Sequence, residues 1–118
     1  MEAASQSSTT VLLFTRFGVG AGEAALQQSL AQKYFELLLG DERFPAAICF
    51  MTDGVKLVCA GSPVIEALRK LEAGGTRLIV CKTCLDYYAL ADQLEIGIVG
   101  SMSDIIDATW RAGKVISM

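Results

Sequence analysis

The sequence predicts an α/β protein: a three-layer α/β/α sandwich around a mainly parallel sheet of about five strands. Three observations predict it. Short, continuous apolar runs recur at Thr10–Thr15, Ala46–Met51 and Thr76–Cys81, and a run apolar on both pleat faces marks a strand covered on both sides. Segments of helical period separate these runs. Glycine, proline or a short polar residue punctuates each handover. Strands and helices that alternate in this way bury their apolar faces by layering helices on a parallel sheet. A chain of 118 residues has room for one core. Residues 1–8 are small and polar and read as a disordered leader, leaving 9–118 as a single domain.

The elements follow in order. After the first strand, Arg16–Glu23 is a glycine-rich turn, and the helix beyond it carries Leu26, Leu30, Tyr34 and Leu37 on one stripe until Gly40 stops it. Pro45 opens the second strand unit, Thr52-Asp53-Gly54 turns the chain, and Val55–Ala60 reads either as a strand extension or as a loop. Ser62 and Pro63 mark a helix start, as cap and first residue, with Val64, Ile65, Leu68 and Leu71 inward and Gly74-Gly75 as the stop. The third strand leads to a helix from Cys84 to about Ala91. Ile96–Val99 is a fourth strand. Ser101 and Asp104 have capping-box spacing before a helix lined by Ile105, Ile106 and Thr109, which Gly113 closes. Lys114–Ser117 is the last strand.

Composition removes several classes of function. The net charge is −3 and no Lys/Arg run occurs, which argues against nucleic acid as a partner. No apolar run approaches the roughly 20 residues of a membrane helix, so no membrane partner is expected. No secretion signal opens the chain, which places it in the cytoplasm, where thiols stay reduced. There is no histidine, and with it go Ser-His-Asp and Cys-His catalysis and every histidine metal ligand. Chemistry must then come from thiols, carboxylates, lysines or backbone groups. With 53% apolar and only 19% charged residues, against about 25% charged in an average soluble chain, the protein is expected to hide further surface in a homo-oligomer.

The stretch Arg77–Tyr88 carries the chemistry. It delivers two thiols, Cys81 and Cys84, to a strand-to-helix turn. Thr83 reads as the helix N-cap with Asp86 three residues on as its partner, which puts Cys84 at the first helical position. Unpaired N–H groups and the positive end of the helix dipole there favour an anion, so the Cys84 thiol is expected to be lowered from about 8.5. Lys82 should help and Asp86 oppose. Against this stands ordinary packing, since cysteine is commonly a small buried hydrophobe.

Other features weigh less. Gly18-Val19-Gly20-Ala21-Gly22 follows a strand and opens a helix, so its backbone has the makings of an anion cradle. It lacks both the dinucleotide register and the lysine of a phosphate-binding loop, and a tight turn is the commoner use of such glycines. Cys49 reads as core and Cys59 as a bystander on the loop edge. Tyr87 and Tyr88 read as packing and oligomer surface, with at most a hydroxyl turned to the site, and Trp110 and the methionines as filler and interface. One Cys-x-x-Cys offers two of the four ligands a closed zinc site needs, so no metal or cofactor is assigned. A metal shared between subunits is the one route left open.

Cys81-Lys82-Thr83-Cys84-Leu85-Asp86-Tyr87-Tyr88 resembles the Cys-Gly-Thr-Cys-Leu-x-x-Tyr/Phe-Tyr motif of the C-terminal domain of YedF proteins, sulfurtransferase-like proteins of selenium metabolism within the wider DsrE-like sulfur-relay superfamily. Asp53–Leu57, Gly61–Val64, Met102–Ile105 and Lys114–Ile116 fit the same pattern, so the likeness spans nearly the whole domain. Lys82 replaces the usual glycine, and Thr52 and Ser101 stand where asparagines are expected. The resemblance implies a DsrE-like fold, homo-oligomers and persulfide carriage on Cys81 and Cys84. Sulfur donor and acceptor proteins or small thiols are the implied partners, and selenium is a weaker implication. The expected site is therefore Cys84 as nucleophile and Cys81 as second carrier or resolving thiol. Lys82, Thr83, Asp53, Gly54, Gly18, Gly20 and Ser101 are expected to support it. Whether this makes an enzyme or a carrier stays open, and a non-catalytic ligand- or protein-binding module of the same fold is the alternative.

Overall fold

The apolar runs become five short strands: β1 (Thr10–Phe14), β2 (Ala47–Phe50), β3 (Arg77–Cys81), β4 (Ile98–Gly100) and β5 (Lys114–Ser117). Between them lie α1 (Ala24–Gly40), α2 (Ile65–Ala73), α3 (Lys82–Tyr87) and α4 (Met102–Arg111), with 3₁₀ turns at Thr52–Val58 and Ala91–Gln93. The computed structural model describes residues 9–118; the leader expected at 1–8 lies outside the described residues.

All five strands are parallel, in the order β4-β3-β2-β1-β5. The chain steps from β1 to β4 in one direction and then returns across the sheet to β5. Right-handed crossovers put α1, α2 and α3 on one face and α4 on the other. The pleat agrees. Leu12, Ile48 and Leu78 stand in register, as do Phe14, Phe50 and Val80, and Phe14 meets Phe35 and Tyr34 of α1 at ring separations of 5.2 and 6.5 Å. The opposite face carries Leu13, Cys49 and Ile79 in register, and α4 packs over β3 and β4. Phe14, Phe35 and Phe50 are fully buried; truncating any one to alanine would cost about 3–5 kcal/mol.

Several expectations need correction. The leucine stripe of α1 does not face the core: Leu26 is 57% and Leu37 60% exposed. The buried residues of that helix are Ala31 and Phe35, because a small residue lets α1 approach the sheet and a phenyl ring then fills the gap. Ser62 does not cap α2, which begins at Ile65 with Val64 before it; the Ser62 hydroxyl accepts the Val64 N–H instead, at 3.2 Å. The ambiguous stretch after Asp53 is neither strand nor loop but part of the 3₁₀ turn from Thr52 to Val58. The capping box does form: Ser101 Oγ accepts from Asp104 N, and the Asp104 carboxylate accepts from Ser101 N at 2.8 Å. Trp110 is not filler, being 85% exposed.

Candidate functional site

Strand β3 ends on Cys81 and hands directly to α3, so the C-terminal rim of the sheet carries the two thiols. Cys81 is buried, and Cys84 is half-buried in front of it. Their sulfurs are 3.0 Å apart, with the Cys84 thiol donating. Both cysteines are free. The outer sulfur in turn accepts a hydrogen bond from the amide N–H of Thr52, at 3.1 Å.

The helix start is not the one expected. Cys81, in extended conformation, is the N-cap residue, and α3 begins at Lys82 without a side-chain cap. Thr83 is exposed and caps nothing. Cys84 is the third residue of a six-residue helix, where the dipole is short and the thiol is partly desolvated. Burial pushes the Cys84 thiol up, and the hydrogen bond to Cys81 adds to the rise; only the Thr52 N–H opposes them. The expected lowering is therefore overturned. Lys82 does not act on the thiols either. Its ammonium sits 2.8 Å from Asp86 on the exposed face of α3, a surface pair of small energetic weight.

The 3₁₀ turn beside the thiols explains Asp53 and Gly54. Asp53 pairs with Lys56 at 3.1 Å; the Tyr88 hydroxyl beside it, then Lys56, holds the Asp53 carboxyl below its ordinary value, and Asp53 in return raises the Tyr88 phenol. The Lys56 ammonium also lies over the Tyr88 ring, 4.7 Å from its centre. Asp53, Lys56 and Tyr88 thus tie the turn to the end of α3. Gly54 sits against the end of β1, where a Cβ would land on the Phe14 carbonyl. A surface cavity of about 270 Å³ shares Lys56 with this network and is otherwise lined by Phe17, Cys59, Ala60, Gly61 and Leu90.

The remaining expected residues lie elsewhere in role. Gly18 has φ +149° and no room for a side chain beside Gln27. The Val19 N–H donates to the Gln27 carbonyl at 3.0 Å, and Gln27 Nε2 donates to Gly20 O at 2.7 Å. The glycine loop is therefore folded back on the first turn of α1. It lies where strand order reverses, between β1 and β5, two strands from the thiols. The Ser101 side chain is occupied in the capping box. Cys49 is core, and burial pushes its thiol up to about 11. Cys59 is buried, with Sγ on the Val55 carbonyl at 3.3 Å, and burial followed by the Glu95 charge raises it. Among the described residues, no group of three or more Cys, Asp or Glu could hold a metal ion, and no helix is long and apolar enough to cross a membrane.

Sequence reasoning missed Lys56 and gave Tyr88 only a marginal place. It treated Thr52 as a loop residue, although the expectation of asparagine there was a signal: asparagine tolerates the left-handed backbone that Thr52 adopts, with φ +48°.

An all-parallel, five-stranded α/β domain with a thiol pair at a strand-to-helix junction defines the class. The chain belongs to the DsrE/DsrF-like family, whose model matches residues 8–118. Two solved structures share the fold. The ychN protein from E. coli superposes with a TM-score of 0.67 at 18% identity, covering 93% of this chain and 99% of that one. MTH1491, a protein of unknown function from Methanobacterium thermoautotrophicum, gives 0.63 at 16% identity, covering 92% and 97%. Among curated proteins none matches the sequence.

Proposed function

We propose that this protein is a sulfur carrier of the sulfur-relay kind, with Cys84 as the acceptor thiol and Cys81 as the thiol behind it. One observation carries the reading: the half-exposed Cys84 sulfur lies 3.0 Å from the buried Cys81 sulfur. In loading, the Cys84 thiolate attacks the outer sulfur of a donor persulfide; a Cys84 persulfide forms and the donor leaves as its thiolate. In delivery, an acceptor thiolate takes that outer sulfur and Cys84 returns as thiolate. Alternatively, Cys81 as thiolate attacks Cys84 Sγ, expels hydrosulfide and closes a Cys81–Cys84 disulfide, which a small thiol then reduces.

Partners are sulfur donor and acceptor proteins or small thiols. The likeness of Cys81–Tyr88 to YedF C-terminal domains supports sulfur as cargo and leaves selenium as the second to load. Four free cysteines fit a reducing compartment such as the cytoplasm. The protein also forms a homo-oligomer in this reading. Met102, Ile106 and Trp110 make an exposed stripe at i, i+4 and i+8 on α4, the one helix on its face of the sheet among the described residues, and a second copy of the chain would cover it.

Incubation with polysulfide, alkylation and peptide mapping test the proposal. A gain of one sulfur on the peptide carrying Cys84 is expected. A gain at neither Cys84 nor Cys81 would refute it in favour of a binding module in which the thiols are incidental.

A further inference from the structure

Thr52 stands out on the rim. It is a β-branched residue at φ +48°, a conformation such side chains rarely adopt, and strained residues of this sort persist only where the surroundings over-determine them. The surroundings here are specific. The Thr52 hydroxyl lies 2.7 Å from both the Thr15 and the Met51 carbonyl oxygens. The Met51 N–H donates to Phe14 O at 2.9 Å and the Gly54 N–H to Met51 O at 2.8 Å. Asp53, the next residue, is held by Lys56 and Tyr88. The outcome of all these ties is one vector: the Thr52 N–H points at Cys84 Sγ from 3.1 Å.

We propose that Thr52 is a positioning residue, whose left-handed backbone, locked by its hydroxyl on the end of β1, holds an amide donor on the Cys84 sulfur. The donor stabilises that sulfur as thiolate before loading, and as the inner sulfur of the persulfide afterwards. It does so without a histidine, which the sequence lacks, and without a cation that acts on the outer thiol among the described residues. The inference rests on the carrier role of Cys84 for its purpose, but its geometry is tested without any sulfur transfer. The ties also explain how threonine serves where asparagine is the expected residue. Asparagine takes φ > 0 readily; threonine takes it here because its hydroxyl is anchored to Thr15 O.

The test is the pH dependence of Cys84 carbamidomethylation, followed at the peptide level in the full chain, with thermal melts alongside. Thr52→Asn accepts the backbone conformation and keeps the N–H, so its Cys84 titration should overlay that of the wild type. Thr52→Val keeps the β-branch but loses the anchor. Its alkylation midpoint should rise, making Cys84 about three- to tenfold slower at neutral pH, as loss of one hydrogen bond of ordinary net strength implies. If Thr52→Val does not fold, Thr52→Ala, which loses the same anchor with less steric conflict, takes its place. A wild-type midpoint in the valine or alanine variant, or an equal rise in the asparagine variant, overturns the proposal. Normal titration in a protein that never loads sulfur would instead overturn the carrier role and leave the positioning intact.

Discussion

Replacing Gly54 by alanine should loosen the rim on which the thiols sit. The added Cβ would land on the Phe14 carbonyl oxygen, 2.7 Å from its carbon and 3.3 Å from Thr15 N, where real Cβ contacts stay above 3.0 Å. The obstacle is backbone at the end of β1, so the 3₁₀ turn itself must retreat. Overpacking of this kind costs about 1–3 kcal/mol, and the lower entropy of the unfolded alanine chain returns about 0.4–1 kcal/mol. The central values leave a net loss of about 1.3 kcal/mol, which lowers Tm by roughly 4–8 °C for a domain of this size. Because Thr52 lies two residues before Gly54, the same retreat should draw its N–H away from Cys84 and raise the pH at which Cys84 alkylates. Calorimetry and a peptide-level alkylation profile read both effects. A variant with unchanged Tm and unchanged Cys84 titration would refute the reasoning that the turn is pinned between β1 and α3.

Three further outcomes are expected. An alkylating reagent should modify Cys84 first in the native protein and reach Cys49, Cys59 and Cys81 only as the chain opens, because those three are buried; equal rates at all four thiols would contradict the burial order. Asp104, held below the ordinary carboxylate range by the Ser101 N–H and then its hydroxyl, stabilises the fold only while ionised. The Tm deficit of Asp104→Ala should therefore be constant above about pH 5 and shrink as pH falls below the unfolded carboxylate value of about 3.9; a pH-independent deficit would contradict the capping role. Trp110→Asp should reduce the mass seen by light scattering to that of one chain while leaving the far-ultraviolet spectrum unchanged, and an unaltered mass would move the interface elsewhere.

The fold was legible because strands covered on both faces must be continuously apolar, and Leu12, Ile48 and Val80 announce that without any tertiary information. Helix faces were less so. On α1 the leucines form the more conspicuous stripe, yet Ala31 and Phe35 turn inward; which of two apolar stripes is buried depends on packing against α2 and the sheet. The position of the thiol pair was readable from its place after a strand, whereas its electrostatics were not. Cap chemistry at Thr83 favoured a later helix start, but the chain enters α3 straight from β3, and Cys84 gains a neighbouring thiol in place of a free helix end. Asp53, Lys56 and Tyr88 meet only because the 3₁₀ turn lies along α3, a contact between segments more than 30 residues apart. The Ser101–Asp104 box, being wholly local, was read correctly.

The order of the two sulfurs is the centre of this account, and single-cysteine variants loaded with polysulfide test it most directly. Cys81→Ser should take up one sulfur on Cys84 and retain it until an external thiol is added, releasing no sulfide by itself. Cys84→Ser should take up none. Uptake by Cys84→Ser with none by Cys81→Ser would reverse the roles and contradict the account.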